Sequence, residues 1–571
     1  MKKIYFLLAL LVAGVAFTSC SDSYMEDLNT DTSKASFIDP NTQLTTGLLQ
    51  TYGDFGMMDT YRSYITGFTQ HMMGGWNVSN YAGSVLANND QMRLVWDRLY
   101  GVGIKNIVDG IHNSEESPNL NAALRIHKVY LISLLTDIYG DVPCSEAGLG
   151  YIEGISNPKY DTQEEIYNYF FTELDACVKQ LGTGSDRISG DVTSLVSDVN
   201  AWKRYANSLR LRFAMRISDV NPTKAKEEFE KALNADGGYI TNQTQDAYVV
   251  HLKAPFTLYD GSRDLDFRAN ALSEMLYGQD PESPTFICST LFEQLENSGD
   301  PRLYRICRHY LNTQRSEIAP EGCYDVTDEV VAWEQESGTG AQPCIPGAAW
   351  WHNWPVVPDN SAIPTLARLI EEFPAAGYGG SNYPARMARV WLALEFEQPD
   401  CPGILITSAE VEFLLAEAAT KGWNVSGSAQ SHYEKGIRAS MAILNDYYKV
   451  PTITDDEINA FIAANPLGAN PKEAINTQAW ILHLTNPVEC WANLRRSDYP
   501  RIYDRAQLPN YDFTYEDPNM HTPTRLKYPN LESKYNSENY KEAISRLGGE
   551  DNWHARMWWD THEINYKSPD E

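Results

Sequence analysis

Positive charge is scarce in this sequence. Its 571 residues hold 46 Lys and Arg against 76 Asp and Glu, a formal net charge of −30. Such an excess of negative charge opposes attraction to nucleic-acid phosphates and to anionic lipid head groups. A nucleic-acid partner is therefore not expected. The composition, 43% hydrophobic and 21% charged, is that of an ordinary globular protein.

Recognisable catalytic motifs are also missing. The sequence contains no HExxH, GxSxG, Walker A or EF-hand pattern, and Gly101 and Gly103 lack the third glycine of a dinucleotide loop. The histidines do not cluster at metal-ligand spacing. Neighbouring acids such as Asp264 and Asp266, or Glu371 and Glu372, are the type of pair that hydrolyses glycosides, but a chain with 76 acids forms such pairs by chance. We therefore predict no enzyme activity and no catalytic residue.

Cysteines are few and scattered. Besides Cys20 there are eight, with no CxxC pair and no short framework spacing. A chain of this size does not need disulfide staples, so we predict that most are small buried residues. Cys323 and Cys344 flank one irregular stretch and are the pair that could form a disulfide.

The N-terminus has the pattern of an exported lipoprotein. Lys2 and Lys3 precede an apolar run over 4–17, which is short for a membrane span and suits a secretory signal over 1–19. The run Phe17-Thr18-Ser19-Cys20 resembles a bacterial lipobox, although Phe17 replaces the usual Leu. We predict that Cys20 is lipidated and that 20–40, rich in Asp, Ser, Thr and Asn, is a flexible tether. A plain signal peptide cut elsewhere is the alternative.

Apolar residues recur at helical spacing over most of the chain, and they predict an all-α fold. Thr407 and Glu410 have the spacing of a capping box before a helix, and a second stripe, Tyr433 to Tyr448, follows a Gly/Ser/Asn loop. The two form a helix hairpin of the tetratricopeptide kind. Further helices are predicted over 91–111, 122–139, 164–181 and 200–217 and from Pro222. Stacked helix pairs build a solenoid, which we expect to be right-handed. We predict one domain over 41–571, with an irregular, loop-rich part over about 239–403 and an irregular tail after Tyr499.

Aromatic residues make up 12% of the chain, and two groups of them lie among Gly, Asn and Pro. Large rings can fill gaps beneath loops, which is the alternative to a binding role. However, a flat ring bordered by amides suits a sugar, which has apolar C–H faces and a rim of hydroxyls. We predict a ligand-binding role for two sets, Trp76, Asn77, Asn80 and Tyr81, and Trp350, Trp351 and Trp354.

Several stretches resemble the SusD/RagB family of Gram-negative outer-membrane lipoproteins. They are Leu134-Leu135-Thr136-Asp137-Ile138-Tyr139-Gly140-Asp141-Val142-Pro143, Trp202 to Arg212, Glu412 to Ala418 with Tyr433 to Ile437, Asn493 to Pro500, Pro523 to Pro529 and Arg556 to Asp560. They follow the expected order along nearly the whole mature chain.

The resemblance implies a tetratricopeptide-like helical fold and a non-enzymatic protein held on the outer membrane at the cell surface by its lipid. Members of the family capture oligosaccharides, or peptides in some branches, and cap a TonB-dependent, SusC-like transporter as a hinged lid. No cofactor is implied, although calcium could bridge carboxylates to the partner. Asp137, Arg210 and Arg495 are expected to hold the scaffold together, because buried charges must be paired. No motif transfers a binding residue, and a peptide-binding member or a secreted glycoside hydrolase are the competing hypotheses.

Overall fold

The computed structural model describes residues 37–74, 78–83, 85–253, 267–277, 285–309, 390–504 and 521–568. Helices dominate these ranges. Those of eight or more residues are α1 (Pro40–Gly53), α2 (Lys105–His112), α3 (Pro118–Tyr139), α4 (Gln163–Gln180), α5 (Val199–Arg216), α6 (Pro222–Leu233), α7 (Ser289–Asn297), α8 (Ser408–Thr420), α9 (Ala429–Ile443), α10 (Asp455–Ala464), α11 (Pro471–Leu482), α12 (Pro487–Ser497) and α13 (Ser537–Arg546).

Shorter elements connect these helices. Short α-helices span Phe55–Thr60, Thr66–Phe68, Asn89–Met92, Leu94–Arg98, Ala271–Tyr277, Leu303–Ile306 and Glu532–Tyr535. Single π-helical turns cover Tyr61–Ile65, Ser79–Gly83, Leu99–Ile104 and Leu444–Tyr448, and 3₁₀ turns cover Gln243–Gln245, Leu394–Glu397 and His483–Thr485. The strands are β1 (Met72–Gly74), β2 (Ala247–Val249), β3 (Thr285–Ile287), β4 (Cys307–His309), β5 (Val390–Leu392) and β6 (Gly403–Ile406), which pair antiparallel as β1 with β3, β2 with β6, and β4 with β5.

Side-chain caps fix where the helices begin. At α4 the box is reciprocal, since the Thr162 hydroxyl accepts the amide of Glu165 and the Glu165 carboxylate accepts the amide of Thr162. At α8 the Thr407 hydroxyl accepts the amide of Glu410 at 3.3 Å, as predicted. The Glu410 carboxylate, however, does not return to Thr407 but accepts two hydrogen bonds from Arg212. The prediction of a capping box at Thr407 was therefore half wrong, because a buried guanidinium competes for the same carboxylate.

Consecutive helices pack against one another, which confirms the tetratricopeptide-like pairs and the all-α class. Helix α4 lies against α3 and α5, α5 against α6, and α8 against α9. The predicted stripe of α9 and its π-helical extension, from Tyr433 to Tyr448, is buried. Close approach depends on Gly436, where a Cβ atom would lie 2.5 Å from the Phe413 ring. A side chain at this position would push α8 and α9 apart.

Three predicted elements differ from the structure. The helix predicted over 91–111 is interrupted by the π-helical turn Leu99–Ile104, and a Cβ atom at Gly103 would lie 2.6 Å from Gln50 Oε1 on α1. The described part of 239–403, predicted to be irregular, contains α7 and two shorter helices, and the tail after Tyr499 contains α13. These short helices contain only a few turns, too few for a periodic apolar stripe to stand out.

The described cysteines are buried, as predicted. Cys144, Cys177, Cys307, Cys401 and Cys490 are buried free thiols, and Cys288 is buried as well. Trp202 and Trp491 are fully buried core residues. Within the described ranges, none of the helices is both long enough and apolar enough to cross a membrane.

Candidate functional site

The two chain segments that carry the predicted tryptophans start from neighbouring strands. Strand β1 ends at Gly74, two residues before Trp76, and pairs with β3, with Met72 opposite Ile287. Strands β4 and β5 enclose the segment 310–389 in the sequence, and their pairing places His309 opposite Val390. Strand β3 also contacts β5. The ends of the long segment with Trp350 and the strand that leads to Trp76 therefore belong to one group of contacting strands, in which β3 connects β1 to β5.

Several predicted residues lie outside the described ranges. These are Cys20 with the signal and most of the tether, the site residues Trp76, Asn77, Trp350, Trp351 and Trp354, the cysteines Cys323 and Cys344, and the acid pairs Asp264 with Asp266 and Glu371 with Glu372. Their roles stay predictions. Residues 37–39 of the tether are described and exposed, with Phe37 61% accessible.

Asn80 and Tyr81 lie in the π-helical turn Ser79–Gly83, close in sequence to Trp76. Tyr81 is half-buried, and its ring stacks on Tyr64 with centroids 5.3 Å apart and planes 16° apart. Its hydroxyl accepts a hydrogen bond of 2.8 Å from the Asn88 side chain. Burial is the main cause that raises the pKa of Tyr81. The ring of Tyr81 is thus held in one orientation and keeps a part of its surface in solvent.

Beneath Tyr81 the aromatic packing continues into the core. Tyr64 lies 5.9 Å from the ring of Trp553, Phe68 lies 6.2 Å from Trp553, and Phe68 lies 5.4 Å from Trp491. Tyr64 also donates its hydroxyl to the carbonyl of Leu86 at 2.7 Å. Interlocked rings of this kind favour a rigid support. The region around Tyr81 therefore rests on a fixed aromatic layer.

Arg495, from one of the family-like stretches, connects helix α12 to the C-terminal segment. Its guanidinium stacks on Trp491 at 3.9 Å and donates to the carbonyls of Asp137 at 2.6 Å and Thr524 at 2.7 Å. The prediction that Arg495 stabilises the scaffold is confirmed. Its hydrogen-bond partners are backbone carbonyls, not carboxylates.

Asp137 and Arg210 also belong to the scaffold. The Asp137 carboxylate accepts the hydroxyl of Tyr167 at 2.6 Å and lies 3.8 Å from Arg216, and burial raises its pKa. Arg210 lies 3.4 Å from Glu228 and 3.3 Å from Asp175. Asp137 and Arg210 therefore each have an oppositely charged side chain nearby, which offsets the cost of burying a charge.

A buried ionic network extends from Arg212, the last residue of one family-like stretch. Arg212 donates to both oxygens of Glu410 at 2.6 and 2.7 Å, and Arg216 donates to Glu489 at 2.6 Å. Glu410, His483 and Glu489 have ligand-type atoms within 4.8 Å of one another, the spacing of a metal site. A cation there would have to compete with two guanidinium groups for the same carboxylates. The network therefore functions as a set of ion pairs that ties α5 to α8 and α12.

A second buried pair joins α8 to α12. Arg496 donates to both oxygens of Glu417 at 2.7 Å each, and both side chains are almost fully buried. Burial alone would raise the pKa of Glu417, but Arg496 outweighs it and lowers that pKa to about 2. The sequence contained both residues within recognised stretches, yet nothing in it indicated that they are partners.

Comparison with known families gives a match over most of the chain. The model of the SusD-like family, described as "starch-binding associating with outer membrane", matches residues 31–333 and 370–529. The chain belongs to the SusD-like family. Comparison with curated proteins finds no match.

Solved structures agree with this assignment. A Bacteroidetes AC2a SusD-like protein has a TM-score of 0.78 and 39% identity, over 92% of this chain and 100% of its own. A chitin-binding protein has a TM-score of 0.73 and 32% identity over the same shares. A SusD homologue from Bacteroides uniformis, at 24% identity, covers 92% of this SusD-like chain and 100% of its own, with a TM-score of 0.66, and shows the shared fold.

The family model leaves a gap between its two matched ranges in this SusD-like protein. Residues 334–369 lie outside the family model, and they contain Trp350, Trp351 and Trp354. The ionic network and the aromatic layer, in contrast, are built from residues within the matched ranges or the C-terminal tail. The scaffold thus follows the family pattern, whereas the predicted tryptophan cluster lies in a stretch that the family model does not match.

Proposed function

We propose that this SusD-like protein is a lipid-anchored surface protein that binds oligosaccharides without catalysis and delivers them, as a lid, to a SusC-like TonB-dependent transporter. The observation that carries the proposal is the common root of the two tryptophan-bearing segments at strands β1, β3, β4 and β5. The rigid support beneath Tyr81 favours a preorganised surface at the same end of β1. Preorganised rings lose little conformational entropy when they bind.

Oligosaccharides suit this arrangement better than charged ligands do. Indole rings stack on the C–H faces of sugars, and the amides of Asn77 and Asn80 can supply the direction that stacking lacks. The relative with 32% identity is described as a chitin-binding protein. A chain whose formal charge is −30 would repel strongly anionic ligands. Neutral glycans are therefore the proposed class.

Delivery needs no chemistry, only a difference in affinity. A lid that binds its ligand better when closed on the transporter will close when the ligand arrives, and equal affinity for both states would shift nothing. The negative charge of the lid is matched best by basic loops on the transporter, or by calcium between acidic groups.

A direct titration tests the binding class. The mature chain with Cys20→Ser, which is soluble if Cys20 is the lipid site, is titrated with neutral oligosaccharides of starch and chitin type and with peptides, by calorimetry. We expect at least one glycan to bind with an affinity in the micromolar to millimolar range, and peptides not to bind. Binding of peptides alone would replace this proposal with the peptide-binding hypothesis.

Lipidation at Cys20 is tested separately. Radiolabelled palmitate should label the wild-type protein in cells, whereas Cys20→Ser should abolish both the label and membrane retention, since acyl chains supply about 0.8 kcal/mol per buried methylene. Cys144→Ser is the matched control, because Cys144 is buried and free. Equal labelling of the wild type and the Cys20 variant would contradict the anchor.

A further inference from the structure

A cavity of about 310 Å³ lies among the C-terminal segments. Side chains from three stretches line it: His521, Thr522 and Thr524, then His554 and Arg556, then Glu563, Ile564 and Tyr566. Its volume is at the small end of ligand pockets, which run from about 300 to 1,000 Å³. It is large enough for a small ligand and too large for a single water molecule.

One wall of this cavity is a fixed aromatic surface. The His521 ring stacks on Tyr566 with centroids 5.8 Å apart and planes 21° apart. The Tyr566 hydroxyl accepts the backbone amide of Thr522 at 3.0 Å, and His521 Nδ1 lies 3.0 Å from the carboxylate of Asp504. Both rings are therefore oriented by hydrogen bonds before any ligand binds, and the side chain of His521 remains 50% exposed.

Two charged side chains that line the cavity, Arg556 and Glu563, are only weakly engaged by other residues. Arg556 lies 4.0 Å from Asp560 and 3.9 Å from Glu563, distances beyond a hydrogen bond, and its side chain is 33% exposed. Glu563 is 97% exposed. Among the residues that the structure describes, the buried hydroxyl of Thr522 has no hydrogen-bond partner. A guanidinium and a carboxylate are thus available to a ligand.

The charges around the cavity select a neutral occupant. An anion would be repelled by Glu563, which lines the cavity, and by the nearby carboxylates of Asp504, 3.0 Å from His521, and Asp560, 4.0 Å from Arg556. A cation would meet Arg556. A ligand with several hydroxyl groups avoids both repulsions, because each hydroxyl can donate to a carboxylate and accept from a guanidinium. The apolar side chain of Ile564 and the stacked rings of His521 and Tyr566 would contact its C–H faces.

We propose that this C-terminal cavity is a second saccharide subsite, which takes one or two neutral sugar units between the His521–Tyr566 stack and the Arg556 and Glu563 side chains. The subsite rests on the proposed glycan-binding function but not on the tryptophan cluster. An oligosaccharide-binding protein with two separate subsites gains avidity for long or branched glycans.

The test separates the two sites. Maltose, cellobiose and diacetylchitobiose are titrated into the full mature chain, Cys20→Ser, in which Trp350, Trp351 and Trp354 are changed to Ala. We expect residual binding of at least one disaccharide in this background. Adding Arg556→Gln with Glu563→Gln should then weaken that binding about tenfold or more, because hydrogen bonds to charged groups are lost. The matched control is Arg204→Gln with Asp198→Asn, a surface pair 3.6 Å apart that loses the same two charges.

Each outcome decides one of the two ideas. Residual binding that falls in the Arg556 and Glu563 variant but not in the control supports the subsite. Residual binding that both variants leave unchanged, or no residual binding at all, overturns it while the loop site stands. Full affinity after the tryptophan changes, lost on changing Arg556 and Glu563, would instead overturn the loop site. A wild-type chain that binds no disaccharide and no longer glycan overturns both. Circular dichroism melts of every variant confirm that the fold is retained.

Discussion

Changing Trp350, Trp351 and Trp354 together to Ala should weaken the binding of a long neutral oligosaccharide about 100-fold and leave the fold intact. A 100-fold loss corresponds to about 2.7 kcal/mol, which is the size of effect expected when aromatic anchors of a binding site are truncated to Ala. The scaffold contacts of Arg212, Arg495 and Arg496 are formed by residues within the ranges that the family model matches, so the fold should not depend on the three tryptophans. Calorimetry with the wild type and the variant measures the loss.

The control for the tryptophan variant removes two exposed aromatic side chains at other positions. Tyr151 and Tyr535 are 88% and 64% exposed and lie on parts of the surface far in sequence from the tryptophan cluster. Their double change to Ala should leave glycan affinity unchanged. An unchanged affinity in the tryptophan variant, or an equal loss in the tyrosine control, would show that these indoles do not form the site.

Changing Glu417 to Gln should destabilise the protein by about 3–5 kcal/mol at neutral pH, because it leaves the buried charge of Arg496 without its partner. The pKa of Glu417 is lowered to about 2, below its unfolded value of 4.5. The stabilisation is therefore complete above about pH 4.5 and is lost as the pH falls towards 2. The difference between wild type and variant should shrink over that range, since a protonated Glu417 resembles Gln.

Urea unfolding at pH 7 and at pH 3 measures this difference. Glu227→Gln is the control, because Glu227 forms an exposed ion pair with Lys231 and should change stability little at either pH. A Glu417 variant as stable as the wild type at pH 7, or a difference that grows in acid, would contradict the assignment of this pair.

The helical part of the fold could be predicted from the sequence because its signals are local. Residues such as Tyr433, Ile437 and Met441 repeat at helical spacing, and Thr407 and Pro222 mark helix starts. The pairing of α8 with α9 also follows from local information, since a short loop joins them and Gly436 permits close contact.

The interactions that position the candidate sites could not be predicted in the same way. Arg212 and Glu410 are 198 residues apart in the sequence, and Arg216 and Glu489 are 273 apart. The three-residue strands that bring the two tryptophan segments to one root are too short to show an alternating pattern. The C-terminal cavity combines His521, Arg556 and Tyr566, whose proximity depends on tertiary contacts alone.

This SusD-like protein is proposed to bind intact glycans with aromatic side chains carried on loops. A crystal structure of the mature chain, soaked with the oligosaccharide that binds most tightly in the titration, would show where and in what form the glycan binds. We expect an uncleaved oligosaccharide whose sugar rings stack on Trp350, Trp351 or Trp354, near the root formed by β1, β3, β4 and β5. A cleaved product beside a pair of carboxylates, or a glycan bound away from all of these indoles, would contradict it.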